Sequence, residues 1–264
     1  MTNRLLTRRW FLTTILVIGG VALCIRLGVW QLDRLAQRRI FNTRVEAQIN
    51  AAVLDLNQAN PSSGLFEMEY RSVSVTGMYD FNQEVILRNQ VFDGQLGYNV
   101  FTPMRIDGGD QAILVERGWI PFTEADPATR KKFAEPGRVT VKGRLRRSLD
   151  QPELGGVPNP TLAAGETHID AWNYINLNQI QQQTELALQP VYIQQAPDPA
   201  WTRLPYRDLN LPDITEGPHM GYALQWFAFA TILGAGYPFF VRHQLIQVQK
   251  KDPVRNTDLS EHIV

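Results

Sequence analysis

Four residues at the mouth of a long apolar run have types and spacing that can do chemistry. His219, Tyr222, Ala223 and Trp226 fall at i, i+3, i+4 and i+7, so a helix places them on one face. That face carries a titratable imidazole at a water boundary, with two amphipathic aromatic rings beneath it. A neutral imidazole can supply an axial ligand to haem iron, and flat aromatics suit a porphyrin rim. The same pattern also fits an interfacial histidine hydrogen-bonded to headgroups or to a domain above, because Tyr and Trp gather at membrane boundaries.

Elsewhere the chemistry is sparse. The chain has no G-x-S-x-G elbow, no phosphate-cradling glycine loop and no H-E-x-x-H motif. Its histidines, His168, His219, His243 and His262, do not fall at helix-ligand spacing from one another, which argues against a histidine metal cage. His168 and Asp170 share a strand face without a local nucleophile and read as a solvent-facing pair on an edge strand. Arg117-Gly118-Trp119-Ile120-Pro121 ends a strand. There, Gly118 permits close approach while Trp119 caps a core, or Arg117 and Trp119 anchor a partner, since interfaces favour both residue types. Without a nucleophile–base set, the chain is not expected to be an enzyme.

Two apolar segments must position the His219 face. Gly221–Val241 supplies 21 uncharged residues with Gln225 as its strongly polar one, and Trp10–Ile25 continues past Arg26 to Trp30. A spanning helix needs about 20 such residues, so both read as transmembrane helices, over 10–30 and 219–241. Arg26 snorkels to the headgroups, and Trp10 and Trp30 mark the two interfaces. The first segment reads as an uncleaved anchor: basic residues precede it, but no small-x-small cleavage site follows. Gly20, Cys24 and Gly28 in one span, and Ala230 and Gly234 in the other, recur every four residues, which lets helices approach closely. Pro238 is expected to kink the second exit. Arg4, Arg8 and Arg9 precede the first span, and Arg242, Lys250, Lys251 and Arg255 follow the second. The positive-inside rule then makes the tails, 1–9 and 242–264, cytoplasmic and the middle, 31–218, extracytoplasmic.

Residues 31–52 read as a helical neck, ended by the breakers of Asn60-Pro61-Ser62-Ser63-Gly64. The period then changes to two over 65–195. Strands are expected at Tyr70–Gly77, Glu84–Arg88, Tyr98–Thr102, Ala112–Trp119, Val139–Leu145, Asp170–Asn176 and Val191–Gln194, with a tight turn at Asp107–Asp110. A short helix is expected over Asn178–Leu188, stopped by Pro190. Residues 150–165 read as an exposed loop, and 196–218 as a Pro-rich connector. The fold class is therefore an α+β membrane protein, two transmembrane helices bracketing a mainly antiparallel β domain that forms a small barrel or sheet. With 26 basic and 26 acidic residues, net charge gives no case for nucleic acid. Cys24 is the only cysteine, so an intrachain disulfide, a thiolate zinc cluster and C-x-x-C-H haem attachment are all excluded.

Leu27-Gly28-Val29-Trp30-Gln31-Leu32-Asp33-Arg34 resembles the L-G-x-W-Q-x-x-R signature of the Surf1/Shy1 family. Gly77-Met78-Tyr79, Gly97-Tyr98 with Thr102-Pro103, and Arg117-Gly118-Trp119-Ile120-Pro121 resemble its G-x-Y, G-Y…T-P and R-G-W-[VI]-P blocks. His219-Met220-Gly221-Tyr222-Ala223-Leu224-Gln225-Trp226 is similar to its H-x-x-Y-A-x-x-W motif, and all the matches fall in family order. Two positions depart from the pattern: Gly217-Pro218 stands where Asn-Asn often precedes the histidine, and Glu116 where Asn is frequent. The resemblance implies an assembly factor for haem–copper cytochrome c oxidase, helping haem a to be inserted or stabilised in subunit I. It implies His219 as the iron ligand, with Tyr222 and Trp226 in the same site. Its partners would be subunit I, the haem a biosynthesis or insertion machinery and the bilayer. Only nine residues precede the first span, too few for a mitochondrial presequence, so the location expected is the bacterial plasma membrane rather than the mitochondrial inner membrane. A scaffold that steadies an oxidase intermediate without binding haem is the alternative.

Overall fold

The computed structural model describes residues 8–58, 64–163, 165–209 and 211–251. Arg4, Arg255, His262 and the breaker residues Asn60–Ser63 lie outside the described residues. The first part of the chain comprises α1 (Arg8–Ile49), β1 (Leu54–Asp55), β2 (Ser72–Tyr79), β3 (Val85–Phe92), β4 (Gln95–Ile106), β5 (Gln111–Pro121) and α2 (Pro127–Arg130). After these come β6 (Arg138–Arg147), β7 (Ala171–Trp172), α3 (Leu177–Gln181), β8 (Ala187–Gln195) and α4 (His219–Lys251). Two compact units result, residues 1–43 with 214–264, and residues 44–213.

In the first unit α1 and α4 run antiparallel. Both are long and apolar enough to cross a membrane. Leu16 and Ile18 on α1, and Ile232 and Phe239 on α4, are exposed, as lipid-facing side chains are and core ones are not. The small residues lie between the helices as their spacing requires. Cys24, Ala223 and Ala230 are buried, Gly20 approaches Leu233, and Gly234 approaches Val21. A Cβ on Gly28 would come within 2.7 Å of the Phe227 ring, so this glycine lets the two helices close on each other. Trp10 meets Phe240 edge-on at 6.2 Å, and Thr14 Oγ1 lies 2.7 Å from Tyr237 Oη. The neck is an unbroken continuation of the first span to Ile49, and α4 runs through Pro238 to Lys251, so the second helix outlasts its apolar stretch.

In the second unit five strands close into a barrel. The pairings β2–β6, β6–β8, β5–β4 and β4–β2 are antiparallel and β5–β8 is parallel, completing the ring. The closing pair places Gly77 opposite Ile106, and a Cβ there would collide with the Arg105 carbonyl oxygen, so glycine permits the closure. Val73, Val75, Met104, Ile113, Val115, Val141, Leu145 and Ile193 fill the interior. β3 continues the sheet beyond the ring by pairing with β4 across an Asp93-Gly94 turn, where both residues have positive φ as a two-residue hairpin demands. β7 and α3 cover its outer face with Trp172, Ile175, Leu177 and Ile180.

Three expectations are corrected. The strand expected at Asp170–Asn176 shrinks to Ala171–Trp172. The helix expected over Asn178–Leu188 is only Leu177–Gln181, and Pro190 lies inside β8 rather than ending a helix. It is tolerated because the β5–β8 register shifts between Ala112 and Leu114, leaving the proline in the irregularity. Asp170 is not half of a solvent-facing pair with His168; it pairs with Arg130.

Candidate functional site

His219 is the first residue of α4, delivered by a turn in which Gly217 has φ 68°. Its Nδ1 lies 2.8 Å from Gln31 Oε1 on α1. An amide oxygen only accepts, so Nδ1 is the donor in this contact, and in a neutral ring Nε2 then bears the lone pair. Nε2 has no hydrogen-bond partner among the described residues, and Gly217 presents no side chain to the ring edge that bears it. Because α4 is regular here, Tyr222 and Trp226 follow on neighbouring turns, Tyr222 exposed and Trp226 half-buried against Phe229. Ala223, on the same stripe, is 1% exposed. Lower on the helices, bidentate Arg39–Glu216 and Asn42 donating to the Ile214 carbonyl hold the segment entering α4 against α1. The Glu216 carboxyl is held below its ordinary pKa by the Arg39 hydrogen bond. This site resembles a prepared ligand: a histidine with its tautomer set by a second residue and its outer nitrogen open. Gln31 was not picked out by spacing, since a lone amide ending an apolar run gives no periodic signal.

Arg117 and Trp119 lie inside the barrel unit instead of on its surface. The β4–β5 register shifts where Val100 faces Gly118 and Phe101 faces Glu116, so Arg117 is the extra residue of a β-bulge. A bulge re-aims its side chain. Here it turns Arg117 inward, 1% exposed, between Glu84 at 3.1 Å and Glu135 at 2.9 Å, with its guanidinium over the Tyr79 and Phe81 rings. The pairing continues in both directions. Glu84 also binds Arg130, which binds Asp170, and Glu135 also binds Arg207. Three arginines and three carboxylates thus alternate through the interior. Arg117 is thus paired on both sides and 1% exposed, so the structure gives it an internal place in this chain. Trp119, 5% exposed, stacks on Phe92 and Tyr206 and donates Nε1–H to the Gln90 carbonyl. Gly118, at φ 132°, allows Tyr206 to pair with Trp119 through two backbone hydrogen bonds in an isolated bridge. A side chain there would strike the Tyr206 carbonyl, so Gly118→Ala is expected to lower the thermal midpoint by the equivalent of about 2 kcal/mol or more, read in a melt beside wild type.

The sequence profile of the SURF1 family matches residues 19–231. The chain belongs to the SURF1 family. A SURF1-like protein of Mycobacterium tuberculosis is 26% identical over 240 residues, covering 89% of this chain and 84% of its own. One from Rickettsia felis is 26% identical over 243 residues, covering 88% and 97%, and one from Monosiga brevicollis reaches 32% over 137 residues, 47% and 51%.

Among the described residues of this SURF1-family chain, Glu116 is a carboxyl whose pKa lies near neutrality. Glu116, 7% exposed, accepts from Asn99, and burial pushes its pKa up to about 7 against the pull of Asn99, Arg146 and Gln194. The unfolded chain releases this proton near 4.5 while the folded one retains it to about 7, so raising pH across that window favours unfolding. The loss is about 3 kcal/mol in total. Glu116→Gln is expected to flatten that part of the stability–pH profile, leaving the variant more stable than wild type at pH 8 but not at pH 4. Melts of both proteins at the two pH values check it.

Proposed function

We propose that this protein is a membrane-bound assembly factor for haem–copper cytochrome c oxidase that holds haem a while subunit I matures. One observation carries the reading: the His219 imidazole has Nδ1 tied to Gln31, leaving the Nε2 lone pair open beside Gly217. The donor set fits a haem, a neutral imidazole nitrogen with aromatic neighbours on the same helix. Bound haem would supply a ferric or ferrous iron to accept that lone pair. Gln31 fixes the ring's tautomer and angle, Tyr222 and Trp226 offer flat surfaces, and the Gly28–Phe227 contact keeps the two helices in register.

The basic tails orient the protein with both ends cytoplasmic in a bacterial plasma membrane and the barrel translocated. The reading assigns it no catalytic step; its partners are subunit I and the haem a synthesis or insertion machinery. The test is coexpression with haem a supply, comparing optical spectra of purified wild type and His219→Ala. A second reading, a scaffold that never ligates haem, is favoured by the exposed Val91–Leu96 cross-strand pair and Phe122 near the β3–β4 hairpin. On that reading Val91→Ser with Leu96→Ser would damage oxidase assembly more than His219→Ala.

A further inference from the structure

Glu116 opens onto a cavity of about 40 Å³ that the haem reading does not use. Gln90, Phe92, Asn99, Trp119, Gln195, Tyr206 and Asp208 share its lining. Phe92, Trp119 and Tyr206 stack on one another to form its apolar wall. The polar lining is rich in acceptors. Glu116 and Asp208 bring carboxylates, and Gln195, 7% exposed, has a buried Oε1 with no hydrogen-bond partner. Glu116 itself is placed by Asn99 from β4 and Gln194 from β8, with Arg146 of β6 and Tyr192 of β8 as the further ionisable groups facing it.

The occupant can be argued by elimination. Two carboxylates against the single Arg146 guanidinium leave a net negative charge that disfavours an anion, and an apolar group would leave Gln195 Oε1 unpaired in a low-dielectric place, which is costly. A divalent cation needs a richer cage, and no group of three or more His, Cys, Asp or Glu suited to a metal occurs among the described residues. What fits is small, carries positive charge and has several hydrogens to donate. An ammonium group has three or four such hydrogens, and aromatic walls tolerate its charge. The volume suffices for one water-sized group.

We propose that the cavity bounded by Glu116, Gln195, Asp208 and the Trp119–Tyr206 rings binds a single ammonium group, free or at the end of an alkyl chain such as a lysine side chain. Binding needs Glu116 ionised, so protons compete with the ligand. The test uses full-length protein in detergent and follows its thermal midpoint with ammonium chloride, n-butylammonium chloride, sodium chloride and tetramethylammonium chloride at equal ionic strength. Ammonium or n-butylammonium should raise the midpoint saturably and sodium and tetramethylammonium should not. A response to n-butylammonium assigns the alkyl-borne source, and a response to ammonium alone assigns the free ion. Apparent affinity should rise roughly tenfold from pH 6 to pH 8, following the ionised fraction of a carboxyl with pKa about 7. Glu116→Gln should abolish both the midpoint shift and its pH dependence, and Gln195→Leu should weaken the shift while the protein stays folded. An equal shift in Glu116→Gln, an equal shift with sodium or tetramethylammonium, or an affinity that ignores pH would overturn the proposal.

Discussion

Arg117→Ala should cost about 3–5 kcal/mol of stability in the barrel unit, the largest loss expected from any single substitution in this chain. The reason is charge balance in a dry place. Arg117 sits at the middle of an alternating series running Arg207, Glu135, Arg117, Glu84, Arg130 and Asp170. The side chains of Arg117, Glu84 and Glu135 are 1%, 7% and 16% exposed, so water cannot replace the missing cation. Removing it leaves one uncompensated negative charge and strips hydrogen bonds from Glu84, Glu135 and the Phe133 carbonyl at once. Arg117→Lys should recover little, because a single ammonium cannot fork between two carboxylates on opposite sides. Arg130→Ala should cost less, since its partner Asp170 is 35% exposed and can rehydrate. Thermal and denaturant melts of the three variants rank the effects. If Arg117→Ala melts within a degree or two of wild type, the buried series does not hold the domain together.

On the proposed function, the second expected result is the loss of haem from purified His219→Ala protein. A coordinate bond to iron has no substitute on an alanine. The Soret band of copurified haem a should therefore fall to the level of protein made without haem supply. Gln31→Ala should give an intermediate result, since the ligand survives but its ring is no longer held. Outer-shell partners of this kind are worth roughly 10–100-fold in affinity. His243→Ala, further along the same helix and exposed, should keep the full spectrum. Retention of the band in His219→Ala with unchanged helical circular dichroism would move the ligand elsewhere and favour the scaffold reading.

Much of this architecture is legible in the residues because its causes are local. Span length, strand alternation and the i, i+3, i+7 placement of His219, Tyr222 and Trp226 depend only on neighbours along the chain. The expectations that failed share a different origin. Pro190 looked like a helix stop because proline breaks local hydrogen bonding, yet an irregular strand pairing accommodates it. Arg117 is turned inward by one extra residue in the β4–β5 register, which no pattern along the chain announces.

By itself, then, the sequence determined two membrane helices, a β-rich middle and a histidine at the head of the second helix, all consequences of periodicity and hydrophobicity. Only the tertiary structure decided that Gln31 sets the His219 tautomer, that Arg117 closes a buried series of charges, and that Glu116 titrates near neutrality. Each of these depends on which distant residue comes within 3 Å or so, and that is fixed by helix packing, strand register and a bulge.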